Sequence, residues 1–326
     1  MLSRKKFLGL AGAVGSLKII DRKAYSMENK PSLSRIKMAT IGAPDIQDIE
    51  KWYTKWLNYR VTERANVSEK MADSWGCPNT AGKPFILMHS AGTNDVYIRA
   101  VEVEPIKNYQ PMTTWGWNAI EIIVDNIDEI HEKMLRSDFK HIGGPENLMG
   151  GTSSIRAAQY IGPAKEVIYL TCETGDRSKS TLPIPKSSID RPFIMILAGP
   201  DLNALETFYG DHFQMEKGLR FTGAVEIIST AQKLLPTTIY PLGLLRLREN
   251  GNNIELDEYP KSTKPRPNND GELPPGIAMT TFNVDNLDKT EVQFISEPIR
   301  EYEGKRSAVF IGPAGELTEL IENPRG

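Results

Sequence analysis

Apolar and polar positions along this chain follow two periods, and the switch between them recurs. From Ile46 the apolar side chains Ile49, Trp52, Tyr53 and Trp56 come at helical spacing, behind an Asp45 placed to cap the helix. Tyr59 to Val67, Pro84 to His89 and Val96 to Val103 then read as strands. The same order returns with a strand over Trp117 to Val124, a helix near Ile127 to Leu135, and strands at Ser154 to Tyr160 and Glu166 to Thr171. A weaker strand is expected around His141. In the Trp117 strand, alternation puts Ile120, Ile122 and Val124 under the helix and turns Trp117, Ala119 and Glu121 to the other face.

Three stretches recur in order. Ala43 to Tyr53 matches Gly199 to Tyr209, Val124 to Asp128 matches Val284 to Asp288, and Ile161 to Glu166 matches Ile311 to Glu316. Collinear matches at nearly one offset mean that the second half repeats the first. The third unit begins at Phe193, and the fourth at Ile277 after a proline-rich stretch over 260–275. Residues 174–190, rich in Ser, Lys and Pro, read as a linker, and 224–235 as a helical insertion. The expected fold is α+β, with four βαβββ modules in two similar domains at 36–173 and 191–324. Each domain would join its own two modules in a curved mixed sheet with helices outside. Pairing first with fourth and second with third is the alternative.

On Asp45, Trp52 and Tyr53, on Asp201, Phe208 and Tyr209, and on Gly315, Glu319 and Leu320, each unit resembles the vicinal-oxygen-chelate module. Glyoxalase I, extradiol dioxygenases, methylmalonyl-CoA epimerase and bleomycin-resistance proteins share that module. The resemblance implies that first and last strands carry His and carboxylate ligands to a divalent metal. Here the first-strand positions hold Met38, Ala119, Ile194 and Met279, and the last-strand positions Arg99, Tyr169, Glu255 and Glu319. None of the first four suits a hard cation. His89, His131, His141 and His212 stand at none of these positions. The expectation is a chain without a metal or other cofactor.

A carboxylate beside tryptophan in a strand is tuned toward acid–base work at neutral pH. Glu121 is therefore the expected catalytic residue, with Arg99 to balance or orient it and Tyr169 to donate to a substrate oxygen. Trp117, Tyr97, Arg156, Glu255 and Glu319 are expected to bind substrate, and Glu255 and Asp257 with Glu319 suggest a second acidic cleft. These residues point to a metal-independent isomerase, lyase or cyclase acting on a cyclic or aromatic carbonyl compound. The alternative is a protein that sequesters a small molecule, as bleomycin-resistance proteins do, and a non-catalytic interaction protein comes third.

Composition narrows the partners. The chain has 326 residues, 40% hydrophobic and 25% charged, with a net charge of −3. With no basic stripe, nucleic acid is not an expected partner. Cys77 and Cys172 belong to no CxxC pair and are expected as buried thiols rather than a disulfide. Ser3-Arg4-Lys5-Lys6 before the short apolar run Phe7 to Leu17 resembles a twin-arginine signal over 1–26, which implies export to the periplasm. That run is too short to span a membrane. Monomer and homodimer both stay open.

Overall fold

The computed structural model describes residues 32–148, 153–215 and 217–324, so the export signal expected at 1–26 lies outside the described residues. The first module comprises β1 (Leu33–Ala43), α1 (Ile46–Leu57), β2 (Arg60–Asn66), α2 (Glu69–Ser74), β3 (Pro84–His89) and β4 (Tyr97–Glu102). The second has β5 (Gly116–Val124), α3 (Ile127–Met134), β6 (Lys140–Asn147), β7 (Ile155–Ile161) and β8 (Val167–Glu173). The third has β9 (Ile189–Gly199), α4 (Leu202–Phe213), β10 (Lys217–Ala224), α5 (Glu226–Ala231), β11 (Ile239–Arg246) and β12 (Asn253–Glu258). The fourth has β13 (Gly276–Val284), β14 (Ile299–Tyr302), β15 (Lys305–Ile311) and β16 (Leu317–Glu322).

The repeated Asp or Asn caps each unit in one way. Asp45, Asn126 and Asp201 accept from the two free backbone N–H groups that open their helices. In the fourth module Asn286 caps only a single 3-10 turn, Leu287–Lys289. Thr290 is extended there, and the β-branched Thr290 and Val292 favour helix poorly, so the expected fourth helix does not form.

The strands form two curved eight-stranded sheets, ordered β14-β15-β16-β13-β1-β4-β3-β2 and β10-β11-β12-β9-β5-β8-β7-β6. First strands meet antiparallel at the centres, β1 with β13 and β5 with β9. Each sheet therefore takes one module from each half of the chain. The pairing of neighbours expected within 36–173 and within 191–324 is corrected to first with fourth and second with third. Alternation defines a strand's faces but not which equivalent edge it joins.

One large core joins the sheets. Ile36 and Ile98 from the first sheet, Ile122, Leu170 and Leu197 from the second, and α1, α3 and α4 share it. The third recurring stretch explains part of this packing. Glu166 folds back so that its carboxylate accepts from Ala164 N at 2.9 Å and from Tyr53 Oη of α1 at 3.1 Å. Glu316 does the same with Ala314 N at 2.8 Å and Tyr209 Oη of α4 at 2.8 Å. A Cβ on Gly162 or Gly312 would lie 1.8 or 1.9 Å from the glutamate oxygen, so a side chain there would drive the carboxylate from these bonds. Modules of one half are thus tied through their helices, while the sheets are shared across halves.

Candidate functional site

The other face of each sheet is a cup. Each cup is roofed by a short helix inserted between the second and third strands of an odd-numbered module. In the first, Met71 and Ala72 of α2 and the following Trp75 are buried over Phe85, Val101, Met279 and Leu317. In the second, Ile227 and Ile228 of α5 are buried over Ala119, Val167, Ile194 and Leu242. Ser229 of α5 bonds Tyr240 Oη at 2.9 Å, and Gln232 just beyond donates to Met112 O at 3.1 Å. The helical insertion expected at 224–235 is the six-residue α5; its counterpart α2, equally short, was not read from the sequence.

Arg99 and Glu319 face each other at the floor of the first cup, both 1% exposed, with 3.2 Å between Nη2 and Oε2. Glu319 also accepts from Thr281 Oγ1 at 2.7 Å, Tyr302 Oη at 2.6 Å and Trp75 Nε1 at 3.2 Å. Arg99 donates to Thr40 Oγ1 at 3.0 Å and Tyr302 Oη at 2.5 Å, and lies 4.6 Å from the Trp75 ring centre. Charge and hydrogen-bonding capacity are satisfied inside the protein. Tyr97, half-buried on the same face, donates to Asn94 O at 2.5 Å.

The second cup has no such balance. Glu121 of β5 stands in register with Tyr169 of β8, which in turn pairs with Gln159 of β7. Across β9, Glu255 and Asp257 of β12 share that face, because the intervening Leu256 points into the large core. Glu121 and Asp257 are 3% and 4% exposed, whereas Glu255 and Tyr169 are half-buried. Burial pushes the Glu121 carboxyl up to about 7 against the pull of a 2.5 Å hydrogen bond from Thr171 Oγ1. Burial also raises Asp257 to about 7, and raises Glu255 with help from the charges of Asp257 and Glu121. Asp257 Oδ1 and Gln159 Oε1 are buried without a hydrogen-bond partner among the described residues.

Measured against expectation, Glu121, Tyr169 and Glu255 come together, while Arg99, Tyr97 and Glu319 belong to the other sheet. The expected Glu121–Arg99–Tyr169 constellation is therefore corrected: no single cup contains it. Trp117 is corrected too. The β5 register slips between Trp117 and Ala119, and such a bulge moves a side chain to the opposite face. Trp117 packs 5.9 Å from Phe282 and donates to Leu317 O at 2.8 Å, in the large core. Arg156 lies opposite the cup face of β7 and pairs with Asp128 of α3 at 2.9 Å. His131 and His141 meet edge to face, ring centres 4.7 Å apart, by Tyr160 and away from both cups. Cys77 and Cys172 are buried free thiols.

Met38, Ala119, Ile194 and Met279 are buried. They leave the first cup a carboxylate already held by four donors, and the second a tyrosine and one carboxylate at the ligand positions. Neither set fits a hard divalent ion. Among the described residues no group of three or more His, Cys, Asp or Glu side chains is placed to hold a metal ion.

No protein-family model matches the sequence, and no curated protein does. Solved structures do match in shape. A variant of glyoxalase I from Zea mays superposes with a TM-score of 0.61 at 14% identity, over 88% of this chain and 93% of that one. Glyoxalase I from Zea mays itself gives 0.58 at 14% identity, over 88% and 92%. A Bacillus subtilis protein named provisionally as a dioxygenase gives 0.61 at 11% identity, over 91% and 87%. At these identities the likeness is one of fold.

Proposed function

We propose that this chain, which has the vicinal-oxygen-chelate fold, works through its second cup as a metal-independent isomerase or lyase in which Glu121 moves the proton. The supporting observation is a buried carboxyl on the cup floor, held near neutral pKa, with one oxygen engaged by Thr171 and Tyr169 beside it. At pH 7 both protonation forms are populated, as a general base that must later act as an acid requires. The carboxylate takes a proton from a carbon next to a carbonyl, while the Tyr169 hydroxyl donates to the oxygen on which charge gathers. Return of the proton to another carbon gives an isomer; departure of a neighbouring substituent gives a lyase product. Arg99, on the other sheet, has no part in this reading.

A screen of cyclic and aromatic carbonyl compounds supplies the assay. Glu121→Gln, nearly isosteric, is expected to cut turnover about 100-fold to 10,000-fold and leave ligand affinity within a few-fold. Intact turnover in that variant would remove Glu121 from the mechanism, and binding without turnover in the parent chain would instead favour sequestration of a small molecule, a reading that the apolar roof of Ile227 and Ile228 supports.

A further inference from the structure

The two cups differ in one respect that bears on the ligand. At the last-strand positions of the first cup, the negative charge of Glu319 meets the positive charge of Arg99. At the equivalent positions of the second, Glu255 faces Tyr169, and Glu121 and Asp257 add two more carboxyls. Among the described residues no lysine, arginine or histidine acts on any of the three. Buried carboxylates without a cation are costly, and natural interiors avoid them unless a partner arrives.

A second observation, outside the acidic group, agrees. Gln159 is 3% exposed and in register with Tyr169, yet its Oε1 has no donor among the described residues. Its neighbour in register on β6 is Gly143, where a Cβ would come 2.5 Å from that oxygen and 2.8 Å from Ile227. The amide and Ile227 of α5 close in on that residue so tightly that a side chain there would displace them. An acceptor is thus held, unpaired, on the same sheet face as carboxyls on which no cation acts among the described residues. The buried ring of Tyr259 is part of this cup, and the half-buried ring of Tyr169 packs against it. Aromatic faces favour a desolvated cation.

We infer that the second cup binds an organic cation, an amine or amidine on a flat or cyclic frame, whose positive charge takes the place that Arg99 fills in the first cup. This rests on the second cup being the working site, as proposed above. A single metal ion does not meet the requirement, since the carboxyls are spread across the floor rather than gathered to coordinate one. An extended ligand can engage Glu255 at the half-open side and Asp257 within, which leaves Glu121 to the proton.

Isothermal titration of the full chain with phenethylammonium, against its neutral isostere 2-phenylethanol and against calcium, tests this. The ammonium is expected to bind at least tenfold more tightly than the alcohol. The heats should vary with the ionisation enthalpy of the buffer at pH 7, because the arriving charge drives protons from the partly protonated carboxyls. Asp257→Asn with Glu255→Gln should abolish the preference. Glu255→Gln alone, nearly isosteric at a half-buried position, should weaken ammonium binding several-fold. Equal binding of alcohol and ammonium, both lost in the double variant, would overturn the charge assignment while leaving the cup as a site. Ammonium binding that ignores both variants, or calcium binding in its place, would overturn it as well. The Glu121→Gln turnover test is independent of all these outcomes.

Discussion

Arg99 and Glu319 form an ion pair where almost no water reaches either partner. Removing one member of such a pair strands the other's charge, which typically costs about 3–5 kcal/mol. Arg99→Met should therefore lower urea-unfolding stability by roughly that amount. Adding Glu319→Gln should recover part of the loss, since the stranded charge goes with it. A single variant as stable as the parent would mean that the pair is not buried in solution. Arg99, Tyr169, Glu255 and Glu319 were legible as a set through the resemblance, which puts them at the last-strand ligand positions. Their division between two cups was not, because counting along a chain does not say which module neighbours which. Asp257 was readable from its alternation with Glu255, whereas the missing donor at Gln159 depends on contacts across three strands.

Elements carry the next level of specificity. The Gly162 to Glu166 turn closes by hydrogen bonds from Gly162 N to Glu166 O at 2.9 Å and from Lys165 N to Gly162 O at 3.0 Å. Gly162 is not among the positive-φ glycines, so Gly162→Ala acts through contact alone, driving the glutamate from its bonds with Ala164 and Tyr53. A loss of about 2–4 kcal/mol is expected by urea unfolding, the scale of overpacking with one or two buried acceptors unsatisfied. An unchanged midpoint would show that the carboxylate is free to move aside. The repeat was plain in the sequence, but its purpose was not: it joins the turn of one module to the helix of its neighbour. The β5 bulge hides in the same way. Period-two alternation through Trp117 and Glu121 is unbroken on paper, and only pairing with β9 reveals the slip that separates them.

For the molecule as a whole, buried acids set the response to pH. Glu121, Asp257 and Glu316 are raised to about 7 and Glu166 to about 8, in each case first by burial. The folded chain then holds protons that the unfolded chain releases, so this stability is complete below about pH 4.5 and is lost as pH rises through 7 to 8. Melting temperature is expected to fall by at least ~5 °C from pH 5.5 to pH 8.5, and Glu166→Gln should flatten the upper part of that decline. A flat profile would mean that these carboxyls are hydrated. Among the described residues no helix is long and apolar enough to cross a membrane. The crossed pairing of modules also orders the molecule's assembly in time. Ser34 of β1 bonds Asn283 of β13, 249 residues further on. At ~5–20 residues per second of synthesis, the first module waits roughly 10–50 s for its partner, while the second and third can already close their sheet. During that wait β1 presents an open edge on the ribosome, and Arg35 and Lys37 along it are the kind of charges that keep such an edge from pairing with a neighbouring nascent chain.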